Sequence, residues 1–80
     1  MPTMRAKMRV TGVEPFDGGE KLEMAAVGPK DSYPSDGADE NNSYARWTPT
    51  ATLVMYIQNP SLFGKFKVGQ EFYLDFTEAV

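Results

Sequence analysis

Apolar and polar residues alternate along the first part of the chain. Residues 4–11 carry apolar side chains at even positions and basic or hydroxyl side chains at odd positions; the apolar set is Met4, Ala6, Met8 and Val10. A period of two is typical of a β-strand with one buried and one solvated face. Several of these residues are good helix formers, but a helix would scatter the apolar side chains around its circumference. The pattern therefore predicts a strand.

A second alternating run follows a turn. Residues 15–19 contain one proline and two glycines, and glycine tolerates the positive φ angles of tight turns. Leu22, Met24 and Ala26 then alternate with polar or small residues. Two alternating runs around a glycine turn predict a β-hairpin.

The next stretch is long and polar. Residues 28–43 contain two prolines, two glycines, four acids and two adjacent asparagines. This composition predicts a loop. Loops of this length are uncommon in compact domains and usually have a function or are mobile.

Two more apolar runs complete the pattern. Residues 52–57 are apolar on both faces, which predicts a central strand or one that is covered on both sides. Residues 71–79 alternate again and place Phe72, Leu74 and Phe76 on one face. We expect that face to point inward.

The segment between these two runs has helical signals. Asn59 suits an N-cap, Pro60 suits the first helical position, and glycine at position 64 can end a helix. We expect one short helical turn, with three large apolar side chains from this segment filling the core: Leu62, Phe63 and Phe66.

Together these elements predict a single small all-β domain over residues 1–80. The order is strand, strand, long loop, strand, short helical turn and strand, with an additional short strand near residues 43–47. Most connections are short, which favours antiparallel neighbours. We expect a curled antiparallel sheet or an open barrel of roughly four to five strands, with an exposed edge strand that can pair with another chain.

Composition argues against most catalytic chemistry. The 80 residues contain no cysteine and no histidine, which removes the thiol nucleophile, the thiolate ligand and the imidazole base. The acids of residues 31–40 offer oxygen ligands for Ca²⁺, but their spacing differs from that of an EF-hand loop. No apolar run is long enough to span a membrane. We expect no enzymatic activity, no metal site, no cofactor and no membrane association.

One short segment combines the residue types that dominate protein-binding hot spots. Tyr44, Arg46 and the single tryptophan, Trp47, lie within four positions of one another. The acids of the neighbouring loop, Asp36, Asp39 and Glu40, would steer a basic partner towards them. The alternative interpretation is that Trp47 covers the core as a lid and Arg46 is merely solvated.

Nucleic-acid binding is a second hypothesis. Small barrels of the oligonucleotide-binding type stack bases on aromatic side chains in a basic groove. Arg5, Lys7 and Arg9 could contact phosphates there. The net charge of −3 disfavours this function, because affinity for nucleic acid rests mainly on cations at phosphates.

The sequence also resembles a family of short proteins encoded by tailed bacteriophages. The resemblance lies in Glu40-Asn41-Asn42, Trp47-Thr48-Pro49, Asn59-Pro60 and the closing residues 66–76. The family has no assigned enzymatic activity, so the resemblance implies no catalytic residue. It implies a small accessory protein that acts by binding.

The resulting prediction is a phage accessory protein in the cytoplasm of the bacterial host, present as a monomer or homodimer. It would bind a host protein, either as an inhibitor or as a trigger sensed by a host enzyme or defence system. Single-stranded nucleic-acid binding and a structural role in the virion are the two alternatives.

Overall fold

The computed structural model describes residues 3–28, 37 and 40–80, which form one open antiparallel sheet. Its four strands are β1 (Met4–Phe16), β2 (Gly19–Ala26), β3 (Thr52–Ile57) and β4 (Glu71–Phe76), in the spatial order β3-β2-β1-β4. Two single 3₁₀ turns accompany them, Glu40–Asn42 and Pro60–Leu62. The predicted all-β class and the antiparallel pairing are confirmed.

The β1–β2 hairpin contains a β-bulge that the alternation did not predict. Its turn is formed by residues 17–18, where Gly18 has a φ angle of 100°. Val10 pairs with Met24 and Gly12 pairs with Glu23, so Thr11 is an extra residue in β1. The extra residue changes the parity of the strand. Consequently the inward-facing side chains of β1 have even numbers up to Val10. After the bulge the next inward-facing side chain is that of Val13, which packs against the core.

One face of the sheet, here called the inner face, carries the core. Its buried side chains come from the three strands β1, β2 and β3: Ala6, Met8, Val10, Leu22, Met24 and Ile57. Phe72 and Leu74 of β4 pack against this cluster, as the alternation predicted. Phe76, also predicted to point inward, remains 49% exposed near the end of the sheet.

The predicted position of the third apolar run is wrong. β3 is an edge strand that pairs only with β2 among the described strands. Val54, Met55 and Tyr56 are about half exposed or more, at 52%, 49% and 60%. Apolar residues on both faces are typical of central strands, but here they leave an uncovered apolar edge.

The segment from β3 to β4 connects the two opposite edges of the sheet. Asn59 caps its 3₁₀ turn, accepting a hydrogen bond from the Ser61 amide, as predicted. Phe66 packs against the core and lies 5.5 Å from the Phe72 ring. Leu62 and Phe63 do not fill the core and remain 41% and 38% exposed.

The additional short strand predicted near residues 43–47 is absent. These residues form turns and bends that follow the first 3₁₀ turn, and the Ala45 amide donates a hydrogen bond to the Asn42 carbonyl. Within the predicted loop of residues 28–43, the structure describes Gly28, Gly37 and residues 40–43.

Candidate functional site

Trp47 extends from the surface and has an unusual backbone. The residue is 53% exposed and does not belong to the core cluster. Its φ angle is 59°, in the left-handed region, and its amide donates a hydrogen bond of 2.8 Å to the Gly37 carbonyl. A non-glycine residue pays on the order of 1–2 kcal/mol for this conformation. The surrounding contacts must offset that strain.

Gly37 provides the surface on which the indole ring lies. Its own φ angle is 74°, and a Cβ atom added there would lie 2.6–2.8 Å from three ring atoms of Trp47. Only glycine fits this close approach without displacing the ring. The contact and the backbone hydrogen bond together fix the direction in which the exposed indole points.

The structure divides the three residues of the predicted hot spot. Arg46 is exposed next to Trp47, and no ion pair recorded among residues 3–28, 37 and 40–80 includes it. Tyr44 instead is partly buried and packs against the core. The outward part of the predicted surface therefore consists of Arg46 and Trp47.

The acidic part of the predicted surface is only partly described. Asp36 and Asp39 lie outside the described residues. Glu40 begins the first 3₁₀ turn. Their proposed steering of a basic partner stays a prediction.

Asn42 and Ser43 hold this segment to the sheet, a role that sequence reasoning missed. Asn42 is 1% exposed; its Oδ1 accepts from the Lys7 amide at 2.9 Å, and its Nδ2 donates to the Val27 carbonyl at 2.7 Å. Ser43 exchanges two bonds with Arg5: the Arg5 amide donates to the Ser43 Oγ, and the Ser43 amide donates to the Arg5 carbonyl. The pair thus satisfies β1 backbone groups beyond the end of β2.

Tyr44 lines an apolar cavity on the inner face. The cavity has a volume of about 140 Å³, and its other walls include Met8, Leu53, Leu74 and Phe76. Ligand pockets usually measure roughly 300–1,000 Å³. The cavity therefore has room for little more than one apolar side chain or a benzene-sized molecule.

The basic residues of β1 lie opposite acids of β4 on the other face, here called the outer face. Arg5 donates two hydrogen bonds to Asp75, at 2.6 and 3.0 Å. Glu71 accepts from Arg9 at 2.6 Å and lies 3.5 Å from the Lys7 ammonium group. The Arg5 guanidinium also lies 4.4 Å from the centre of the Tyr73 ring. Each of the predicted phosphate-contacting cations thus already has an acidic neighbour.

These ion pairs change the protonation of the acids. The Arg9 guanidinium hydrogen-bonded to Glu71 lowers the pKa of that carboxyl group. The Arg5 guanidinium lowers the pKa of Asp75 in the same way. Both carboxylates therefore stay ionised to lower pH than they would in an unfolded chain.

Exposed apolar side chains lie at the opposite edge of the outer face. The rings of Phe16 and Tyr56 meet edge to face, with centroids 5.9 Å apart. Val54 lies two positions before Tyr56 on the same edge strand, and both are among the exposed apolar residues. Lys21 and Glu23 of β2 form an ion pair of 3.2 Å beside them.

Among the described residues, no group of three or more histidine, cysteine, aspartate or glutamate side chains is arranged to hold a metal ion. Within the same residues, no helix is long and apolar enough to cross a membrane.

No protein-family model matches the chain, and no curated protein or solved structure shows significant similarity to it.

Proposed function

We propose that this chain is a non-enzymatic phage accessory protein that binds a host protein stoichiometrically in the host cytoplasm. The phage origin rests on the sequence resemblance alone. The binding function rests on one observation, the exposed Trp47 indole held over Gly37 beside the exposed Arg46. Tryptophan and arginine are enriched in hot spots, and a ring whose direction is already fixed loses little conformational entropy on binding.

The strained backbone of Trp47 supports this assignment. Positive φ angles at non-glycine residues are uncommon and tend to occur at functional sites. A tryptophan that served only as a lid would turn its ring towards the core. Here the residue as a whole is more than half exposed, and the inner face is covered by other side chains such as Phe66.

The nucleic-acid alternative has less support from the geometry. Binding to phosphates would require Arg5, Lys7 and Arg9 to leave Asp75 and Glu71, and those acids would then face the phosphate backbone. Like charges at such short range oppose binding.

The test is a pull-down of the tagged full chain from bacterial host lysate, with and without nuclease. We expect one host protein in stoichiometric amount that survives nuclease treatment. The Trp47→Ala variant should lose this protein. Recovery of nucleic acid, or of proteins that disappear after nuclease treatment, would contradict the proposal and favour single-strand binding.

A matched control separates loss of the contact from loss of an exposed ring in general. Tyr73 is exposed to the same extent as Trp47, 53%, but lies on the outer face of β4. Tyr73→Ala should retain the host protein. Loss of binding in both variants would indicate a general effect of aromatic surface rather than a site at Trp47.

A further inference from the structure

We propose that two copies of this chain associate through the open edges of their β3 strands, forming one continuous antiparallel sheet around a two-fold axis at Val54. The inference is independent of the proposed function. It rests on the direction of the β3 backbone, on the absence of charge along this strand, and on the exposure of its apolar side chains.

The backbone direction follows from one hydrogen bond. The Ala26 amide of the β2 end donates to the Ala51 carbonyl. In an antiparallel ladder, the N–H and C=O groups of alternate residues point to opposite sides. The backbone N–H and C=O groups of the odd-numbered β3 residues thus point towards β2. Those of Thr52, Val54 and Tyr56 point towards the open edge. No hydrogen bond recorded for the described residues occupies them.

These three residues define a self-complementary register. A second copy centred at Val54 pairs Thr52 with Tyr56 of the second copy, Val54 with its own equivalent, and Tyr56 with Thr52 of the second copy. Each such pair exchanges two backbone hydrogen bonds. A register centred at Met55 would form only two of these pairs, so the Val54 register satisfies the most backbone groups.

The side chains agree with this register. On the outer face the Val54 side chains meet each other, and on the inner face Leu53 of one copy meets Met55 of the other. This contact covers Met55 and Val54, which are 49% and 52% exposed in one chain. Burial of apolar surface adds to the backbone hydrogen bonds.

Charge indicates that the occupant is a second copy rather than a different partner. Each chain carries a net charge of −3, so two copies repel unless they meet at a neutral surface. β3 carries no charged residue, and the charges beside it on the outer face, Lys21 and Glu23, already pair with each other, so the edge offers no net charge to an oppositely charged partner. Edge strands that stay single usually carry a lysine, a proline or another charge to prevent pairing.

The other open edge has this protection. β4 contains Glu71 and Asp75, and a symmetric pairing centred at Tyr73 would place Glu71 of one copy opposite Asp75 of the other. Each acid already pairs with a β1 cation, and charged side chains along an edge strand oppose pairing with another strand. The sheet therefore has one edge, β4, whose charges oppose pairing, and one edge, β3, that accepts the β3 strand of a second copy.

The experiment measures the mass of the purified full chain by sedimentation equilibrium over a range of concentrations. We expect a dimer of twice the 8.9 kDa chain mass, with a dissociation constant in the micromolar range because a single strand edge buries a small area. A monomer at every concentration would overturn the proposal and leave this edge to a different chain.

Charged variants test the register. Val54→Lys and Val54→Glu should each be monomeric, because the two new charges would face each other across the axis. A one-to-one mixture of the two variants should form a heterodimer, since the ammonium group then meets a carboxylate. Monomeric Val54→Lys with no recovery in the mixture would contradict the register centred at Val54.

A second exposed valine supplies the control. Val68 is 67% exposed and lies in the turn before β4. Val68→Lys should dimerise as the original chain does. Amide hydrogen exchange gives an independent readout. The Val54 amide should be protected in the dimer, both in the original chain and in Val68→Lys. It should exchange freely when either chain is diluted to monomer. An unprotected Val54 amide in the dimer would place the contact elsewhere.

Discussion

At the scale of single residues, two contacts decide how the segment around Trp47 is held. Asn42 connects it to β1 and β2 through a buried amide, and Gly37 supports the indole ring. Neither role was predictable from the sequence. The adjacent asparagines indicate only a polar loop, and the partners of Asn42 lie 15 and 35 positions away along the chain.

Replacement of Asn42 should destabilise the fold. Asn42→Ala leaves the Lys7 amide and the Val27 carbonyl without their partner, and an unsatisfied buried donor or acceptor costs about 1–3 kcal/mol. Urea denaturation should show this decrease in the free energy of unfolding. Asn42→Asp keeps the acceptor for the Lys7 amide but places a buried carboxylate oxygen against the Val27 carbonyl, so it should lose at least as much stability as Asn42→Ala. A smaller loss in Asn42→Asp would mean that the bond to Val27 contributes little.

Replacement of Gly37 should move the tryptophan ring. Gly37→Ala introduces a Cβ atom into the space that the indole occupies, so the fluorescence of this single tryptophan should shift to longer wavelength. Gly64 is the matched control, because its φ angle of 77° is similar and no atom lies near its added Cβ. Both variants should lose about 1–2 kcal/mol of stability from the left-handed backbone. A fluorescence shift in Gly64→Ala as well would show that the ring does not report on Gly37.

At the scale of elements, the alternation predicted three strands well and misjudged the fourth. Period-two patterns give the buried face of β1, β2 and β4, because each of these strands has one solvated face. β3 has apolar residues on both faces, and the pattern alone cannot distinguish a covered strand from an edge that pairs with another chain. The bulge at Thr11 was missed because it appears only in the pairing with β2, where Val10 lies opposite Met24 and Val13 lies opposite Leu22.

The ion pairs between β1 and β4 make stability depend on pH in the acid range. The pKa of Asp75 is lowered in the folded chain by Arg5, so the unfolded chain takes up a proton at higher pH than the folded chain does. The pair therefore stabilises the fold above the usual aspartate pKa of about 3.9, and this contribution is lost as the pH falls through the lowered value. Asp75→Asn should flatten the decrease in melting temperature below about pH 4.

The Arg5→Gln background controls for other effects of this substitution. Arg5 is the first cause of the lowered pKa of Asp75. When Asp75→Asn is added to Arg5→Gln, the decrease in melting temperature at acid pH should change no further. An equally large additional change in the double variant would show that other groups set the pH dependence.

At the scale of the whole molecule, the sheet presents surfaces with different chemistry. The inner face forms the core, the outer face of β1 and β4 is covered by paired charges, and the β3 edge is apolar. Trp47 and Arg46 lie outside the four strands, in the segment that Asn42 ties to β1. The sequence predicted an exposed edge and a contact at Trp47, but strand order depends on pairings between distant residues that no local pattern contains.

The central claim is that Trp47 is a contact residue and not part of the core. Its most direct test measures the affinity of Trp47→Ala for the captured host protein together with the thermal unfolding of the variant. We expect an affinity loss of about thirtyfold, equivalent to a hot-spot contribution of about 2 kcal/mol. The variant should stay folded, with a melting temperature lowered by no more than about 8 °C, the shift that corresponds to about 1 kcal/mol from the lost contact with Gly37. Unfolding of Trp47→Ala, or full affinity in a folded variant, would contradict the account.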